Sequence, residues 1–186
     1  MVAEARRLPG GDHPAIRWLV GRAEEAPLQP PYALITAGES LHWMDWDVLL
    51  PRLATALTPT GVLALLDLEV EPAPGDPGLR AGELALIQRF STLDGWRPFP
   101  LPGELARRGL VRRHGSTRTE PDVVRVPAAQ YGESFHARAG LAWGRLSPDA
   151  AAAFDAALHD LLRARGHDAV ELHVRASIWW GRPLPG

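Results

Sequence analysis

The sequence predicts an α/β fold in which helices cover both faces of a largely parallel sheet. Three runs, at residues 16–20 (IRWLV), 32–37 (YALITA) and 62–68 (VLALLDL), are mostly apolar and do not alternate with polar residues, which is typical of strands buried on both faces. Leucines at helical spacing separate the second run from the third. Strand, helix and strand in this order form a βαβ unit, which joins two parallel strands through a right-handed crossover.

The N-terminal half supports each of these elements in order. Residues 1–8 have helical spacing and stop at the breaker cluster Pro9-Gly10-Gly11, and residues 16–20 follow as a strand. The helix after the second strand lies between residues 45 and 61, with Asp45 or Asp47 as N-cap and Pro51 either near its first turn or at a kink. A Pro/Gly loop at 71–78 separates the third strand from a helix over residues 79–91.

The C-terminal half adds helices and two further strands. A short helix over 103–109 leads into a polar strand over 110–120, which we expect at an edge of the sheet. Residues 128–144 have a helical pattern. Ser147 is a favourable N-cap for a second helix that ends near Gly166. Apolar residues then alternate with polar ones from Val170, so residues 170–181 form a strand in which one of two adjacent tryptophans points inward.

The length, net charge and cysteine count of the chain limit the classes of function that it can have. At 186 residues the chain is predicted to form a single domain over 1–186. A formal net charge of −2 gives no electrostatic reason to expect nucleic acid or a membrane surface as a partner. The absence of cysteine excludes thiolate sites, and no histidine pair has metal-ligand spacing, so no metal is predicted. Because no signal sequence or apolar span is visible, we expect a cytoplasmic protein.

The residues most suited to chemistry follow the apolar runs, because ligands of open α/β sheets bind beyond the carboxyl ends of the strands. Residues 21–24 follow the first run, residues 38–46 the second and residues 67–71 the third. The middle segment, GESLHWMDW, contains an acid, a hydroxyl, an imidazole and two indoles. This segment is the strongest candidate for a site.

Residues 31–67 resemble the fourth strand, the following helix and the fifth strand of class I S-adenosylmethionine-dependent methyltransferases of the type 11 group. Their sequence is PYALITAGESLHWMDWDVLLPRLATALTPTGVLALLD. SLHWMDW after the strand and L-x-P-x-G before the next carry the resemblance. MVAEARRLPGG is similar to the helix after that family's second strand, and VGRAEEAPL to the loop after its third. The C-terminal segments also resemble the family's last helices and strands.

The resemblance implies a Rossmann-like fold, S-adenosylmethionine as cofactor and a small-molecule methyl acceptor. An imidazole near the methyl group can take a proton from an acceptor hydroxyl or amine, and an indole face can hold a sulfonium. The implied cofactor-binding residues are Arg22, Ala23 and Glu24 near the adenine, with Ala37, Gly38 and Glu39 under the methionine part. The implied catalytic residue is His42, and the implied substrate-binding residues are Trp43 and Trp46.

The resemblance also predicts a truncated enzyme. The family's first two strands, with the glycine-rich loop that approaches the cofactor, have no counterpart in this sequence, so we expect weak or absent catalysis. In the family's strand order, 3-2-1-4-5-7-6, their loss leaves residues 32–37 as an unpaired apolar edge. Such an edge is a template for pairing, so we expect a homodimer through residues 32–37. The alternative function is that of a non-catalytic remnant, or of an assembly module that pairs this strand with itself or with a partner.

A hydrolase is the alternative enzyme class. Gly38-Glu39-Ser40-Leu41-His42 lies between a strand and a helix, as does the G-x-S-x-G nucleophile elbow, and Asp67 and His173 would keep the chain order of a triad. His42 occupies the position of the second glycine, whose missing side chain the sharp turn requires. This departure favours the methyltransferase interpretation.

Overall fold

The computed structural model describes residues 2–72, 76–94 and 99–185. These residues form two compact units, one made of Met1–Leu66, Leu101–Gly115 and Trp179–Gly186, the other of Asp67–Pro100 and Ser116–Ile178. A single domain over 1–186 stays a prediction. The helices are α1 (Val2–Ala5), α2 (Trp46–Ala56), α3 (Pro77–Phe90), α4 (Leu101–Arg107), α5 (Ala128–Phe135) and α6 (Pro148–Ala164), and the strands are β1 (Tyr32–Gly38), β2 (Leu57–Pro72), β3 (Val111–Arg118), β4 (Asp122–Pro127) and β5 (Ala169–Pro183).

The described strands confirm the predicted α/β fold with a partial sheet. Their order is β1-β2-β5-β3, and β4 pairs with β5 beside this path. With β1 and β2 as the fourth and fifth strands, this order corresponds to the 4-5-7-6 part of the expected sheet. As expected, β1 lies at one end of the order and β3 at the other.

In the first unit, a parallel strand pair supports a helix. Leu34 to Gly38 of β1 pair in register with Val62 to Leu66 of β2. Asp45 caps α2, because its side chain accepts hydrogen bonds from the backbone N–H groups of Asp47 and Val48. The buried leucines of α2 lie on one face and pack with strand residues. This core comprises Leu41, Leu49, Leu50, Leu53, Leu63, Leu65, Leu105, Val111 and Trp179.

In the second unit, helices α3, α5 and α6 enclose a second core. Phe135 and Phe154 are fully buried, and their ring centroids lie 5.5 Å apart. Ser147 caps α6 as predicted, and Gly166 after this helix has a positive φ of 73°. Strand β4 pairs antiparallel with β5, with Val126 opposite Val170. The sequence interpretation had not assigned this strand.

The prediction of a strand at residues 16–20 is wrong. These residues form no strand, and Ile16, Leu19 and Val20 are 45%, 48% and 89% exposed. The backbone N–H of Ile16 donates to His13 O, and the Trp18 indole donates to Gly11 O at 2.7 Å, so the segment bonds to the preceding turn. A strand requires a neighbouring strand for its hydrogen bonds, and no described residue provides one here.

Other predicted bounds and faces need correction. Strand β1 is not covered on both faces, because Ile35 packs on the core while Leu34 is 55% exposed. Helix α2 ends at Ala56 rather than near Gly61, because Thr58 precedes a proline, which disfavours helical backbone at that threonine. Helix α1 spans four residues, and α5 ends at Phe135 instead of continuing to residue 144. Part of the loop predicted at 71–78 lies outside the described residues.

Candidate functional site

The chain leaves β1 through a turn whose backbone is accessible. Gly38 pairs with Leu66, and the backbone N–H of Glu39 donates to Leu66 O at 3.1 Å. A side chain at Gly38 would meet no heavy atom within 4 Å of its Cβ. Glu39 has a φ of 43°, a left-handed conformation that is rare for residues other than glycine. The turn therefore presents a strained, open backbone at the carboxyl end of the strand.

A single 3-10 turn over Leu41–Trp43 positions the predicted imidazole and indole. Leu41 is buried in the first core, which anchors the turn, whereas His42 and Trp43 are exposed. Their ring centroids lie 4.8 Å apart at an interplanar angle of 47°. His42 and Trp43 are thus available to a ligand from solvent.

Trp46 has structural contacts on several sides. Its indole N–H donates to Leu41 O at 2.7 Å, and the ring packs against the first core. The Arg108 guanidinium lies 5.4 Å from the ring centroid, within cation-π range. These contacts hold Trp46 against the 3-10 turn, so its role in binding a substrate stays a prediction.

The loop at residues 22–26 is tied to α2 by Arg52. The Arg52 guanidinium donates to the backbone oxygens of Ala23, Glu24 and Ala26, at 3.0 Å to Ala23 and 2.8 Å to Ala26. Three carbonyls on one guanidinium suit its planar, multi-donor geometry. The sequence interpretation missed this role of Arg52, because a polar residue in a helix carries no sign of which carbonyls it will contact.

The Glu24 carboxylate lies at the start of α2. Its Oε1 accepts the backbone N–H of Asp45 at 2.7 Å, and its Oε2 lies 3.6 Å from Nε of Arg22. The side chain of Glu24 is 9% exposed, whereas that of Arg22 is 66% exposed. The hydrogen bond from Asp45 lowers the pKa of Glu24 below its ordinary value, and Arg22 lowers it further.

All nine predicted site residues lie in the first unit. The structure brings Glu24 to the N-terminus of α2. Ala37, Gly38 and Glu39 lie consecutively at the carboxyl end of β1. Ser40, the nucleophile of the alternative hydrolase, has a φ of −125°. A nucleophile elbow requires a strained turn at the serine itself, so this geometry argues against a hydrolase.

In residues 2–72, 76–94 and 99–185, no group of three or more histidine, aspartate or glutamate residues is arranged to hold a metal ion. Over the same part of the chain, no helix has both the length and the apolar character that a membrane crossing requires.

Comparison with known proteins gives matches to solved structures alone. No protein-family model matches the sequence, and no curated protein matches it. A protein from Anaeromyxobacter dehalogenans assigned as a type II methyltransferase is 21% identical, with a TM-score of 0.56 over 94% of this chain and 74% of that chain. The [4+2]-cyclase SpnF is also 21% identical, with a TM-score of 0.46 over 99% of this chain and 62% of its own.

A third solved structure, assigned as a methyltransferase of Bacillus halodurans, is 11% identical, with a TM-score of 0.48 over 91% of this chain and 78% of that chain. At such identities the likeness concerns the fold. The similarity to the Anaeromyxobacter structure, together with the strand order β1-β2-β5-β3, shows that this chain has a partial Rossmann-like methyltransferase fold.

Proposed function

We propose that this chain derives from an S-adenosylmethionine-dependent methyltransferase that acts on a small molecule. The observation that carries the proposal is the open turn at Gly38 and Glu39, at the carboxyl end of a parallel strand in a methyltransferase fold. Ligands of open α/β sheets bind at this position. The exposed His42 and Trp43 follow within the same turn.

The described residues fit one part of the cofactor and not another. The backbone at Ala37, Gly38 and Glu39 has room for the methionine part, since space is open beyond Gly38. Glu24 does not fit the expected adenine contact, because its side chain is only 9% exposed and its Oε1 accepts the Asp45 N–H at the start of α2. The proposed site is therefore a partial one, centred on the end of β1.

The exposure of His42 and Trp43 supports the roles proposed for them. S-adenosylmethionine supplies an electrophilic methyl group on a positively charged sulfur. The His42 imidazole would accept the proton that the acceptor loses, and the Trp43 indole face would attract a cation. The proposed methyl acceptor is a small molecule, as the resemblance implies. The formal charge of −2 gives no electrostatic reason to expect nucleic acid in its place.

We further propose that the 186-residue chain by itself binds the cofactor weakly. A glycine-rich loop after a buried strand supplies much of the cofactor contact in such folds. No described residue pairs with the outer edge of β1, and no described strand precedes it. The remaining contacts are those of the β1 turn, so we expect binding in the range of about 1 mM.

Calorimetric titration with S-adenosylhomocysteine tests this proposal. We expect weak binding that Gly38→Leu abolishes, because the new side chain would occupy the space proposed for the methionine part. Gly144→Leu is the matched control, since its Cβ would also meet no atom within 4 Å. Micromolar binding would contradict the weak-affinity proposal, and binding that is absent in the unmodified chain or unchanged in Gly38→Leu would contradict the site.

A second candidate function is assembly through the edge of β1, and a specific observation favours it. β1 pairs with β2 alone among the described strands, and Leu34 on this strand is 55% exposed. Unpaired backbone groups beside exposed apolar side chains favour pairing with another strand. We propose a homodimer in which residues 32–37 of two copies pair.

Light scattering after size exclusion tests the homodimer. We expect a dimer that Leu34→Lys dissociates, because a charged side chain on an edge strand opposes pairing. Leu19→Lys is the control, since Leu19 is also exposed but lies outside any strand. A monomer at all concentrations, or a dimer that Leu34→Lys leaves intact, would contradict the proposal.

A further inference from the structure

The second unit contains a cavity that the proposed methyltransferase site does not use. It has a volume of about 330 Å³ and lies between α5 and α6. Small residues of α5, Ala128, Ala129 and Gly132, form one wall, and Leu158 of α6 forms part of another. Because these α5 side chains are short, the helix surface is concave where a larger side chain would fill it.

His136 is the buried polar group of this cavity. Its Nδ1 lies 2.8 Å from the backbone oxygen of Leu141, and its Nε2 lies 2.9 Å from Oδ1 of Asp155. A backbone oxygen accepts hydrogen bonds and does not donate them, so Nδ1 carries a proton. The two contacts hold the imidazole ring in place between the Leu141 backbone and the Asp155 carboxyl group.

Trp143 stacks on this buried imidazole. The two ring centroids lie 3.8 Å apart at an interplanar angle of 26°, while 61% of Trp143 stays exposed. The contact with His136 fixes the orientation of the indole, which lines the cavity. An indole held in this way is an aromatic surface available to a ligand without the loss of side-chain freedom on binding.

Besides His136, the polar groups of the lining are two carboxylates, Glu133 and Asp155, and the imidazole of His159. Glu133 is exposed and has no ion pair among the described residues. Asp155 is 43% exposed, and its Oδ2 has no described hydrogen bond. A carboxylate beside an indole face is a combination that recognises organic cations.

We propose that the cavity between α5 and α6 binds a small organic ammonium ion. The N-alkyl groups lie against the Trp143 indole and the small residues of α5, and the positive charge lies near Glu133 and Asp155. The inference does not depend on the methyltransferase proposal, because all the residues involved lie in the second unit, whereas the nine predicted site residues lie in the first.

Choline and its uncharged isostere 3,3-dimethylbutan-1-ol are the probes. We expect choline to bind and to shift the Trp143 indole N–H resonance, and we expect the alcohol to bind at least fivefold more weakly, as the loss of a cation-π contact of about 1 kcal/mol predicts. Equal binding of the two compounds, or no binding of choline at about 10 mM, would overturn the proposal.

Variants distinguish the contribution of the Trp143 indole to choline binding from that of the Glu133 carboxylate. We expect Trp143→Ala to abolish choline binding, Trp143→Phe to retain part of it and Glu133→Gln to weaken it about fivefold. Glu120→Gln is the matched control, because Glu120 is exposed and does not line the cavity. Choline binding that Trp143→Ala leaves unchanged in a folded protein would show that the cavity is not the site. Equal weakening by Glu120→Gln would reduce the effect to overall charge and would also overturn the proposal.

Discussion

Two apolar runs of this chain have similar composition and different structures. Residues 32–38 form strand β1, which pairs along β2 and packs Ile35 into the first core. Residues 16–20 form no strand, and three of their apolar side chains are exposed. The difference teaches that apolar, branched and aromatic composition favours a strand only where a neighbouring strand accepts its hydrogen bonds and a core accepts its side chains.

The sequence that follows each run explains the contrast. Helix α2 follows β1, and its cap at Asp45 and buried leucines return the chain to a parallel neighbour, β2. The loop at 22–26 follows the first run, and its backbone is held by the Arg52 guanidinium instead of by a strand. The run at 32–38 therefore depends on a parallel neighbour and the core, whereas the run at 16–20 bonds only to the turn that precedes it among the described contacts.

The largest expected effect compares a leucine of the strand pair with a leucine of the exposed run. Leu63 of β2 lies opposite Ile35 and is fully buried, so Leu63→Ala should lower the free energy of unfolding by about 2–5 kcal/mol. Leu19→Ala should change it by less than about 0.5 kcal/mol. Urea denaturation of both variants measures the difference. Equal losses would mean that residues 16–20 pack in a core in solution.

A smaller effect is expected where Arg52 holds the loop. Arg52→Ala leaves three backbone oxygens without their described donor, so the free energy of unfolding should fall by about 1–3 kcal/mol. Hydrogen exchange should also increase at residues 22–28. Arg52→Lys should not restore protection, because one ammonium lacks the planar fork. Arg17→Ala, at an exposed position, is the control, and a loss as large as that of Arg52→Ala would argue against the contact.

The cap of α2 should contribute about 1 kcal/mol. Asp45→Ala removes the side-chain acceptor of two backbone N–H groups, whereas Asp45→Asn keeps an acceptor and most of the stability. Asp47→Ala is the comparison in the same turn. Its ion pair with Arg108 is largely exposed, so we expect a change of a few tenths of a kcal/mol. Thermal unfolding of the three variants ranks these effects, and equal losses for Asp45→Ala and Asp47→Ala would contradict the cap.

The smallest effect concerns the pH dependence of the contact between Glu24 and α2. The pKa of Glu24 is lowered in the folded chain, chiefly by the Asp45 N–H, so its ionised form adds stability above the ordinary value of 4.5. This stability should be lost as the pH falls through the lowered value. The difference in unfolding free energy between the unmodified chain and Glu24→Gln should therefore shrink from pH 6 to pH 3. A constant difference would show that the charge is not involved.

Much of the fold could be predicted from local patterns. The cap at Asp45, the leucine face of α2 and the Ser147 cap of α6 were expected, and the structure contains each. The single inward tryptophan of β5 was also expected, and Trp179 is the buried one. These features depend on residues three or four positions apart in a helix, or on alternation along a strand, so short stretches of sequence contain the information.

The remaining features depend on partners that are distant in sequence. Strand β4 was not predicted, and it forms where Val126 meets Val170 of β5. Arg182 donates to the backbone oxygens of Thr58 and Gly61 at 2.7 and 3.1 Å, and nothing local to residue 182 indicates those acceptors. The cavity beside His136 likewise requires α5 and α6 to lie together. The roles of the predicted site residues stay predictions.

By itself, the sequence determined the N-terminal caps of α2 and α6, the apolar faces of these two helices and that a segment with an imidazole and an indole follows β1. Only the tertiary structure decided which apolar runs become strands, which carbonyls the arginines hold and where a cavity remains. The physical reason is the distance in sequence between the groups that interact. Caps and periodic faces are satisfied within one or two turns of the chain, whereas strand hydrogen bonds, guanidinium contacts and cavities require groups that folding alone brings together.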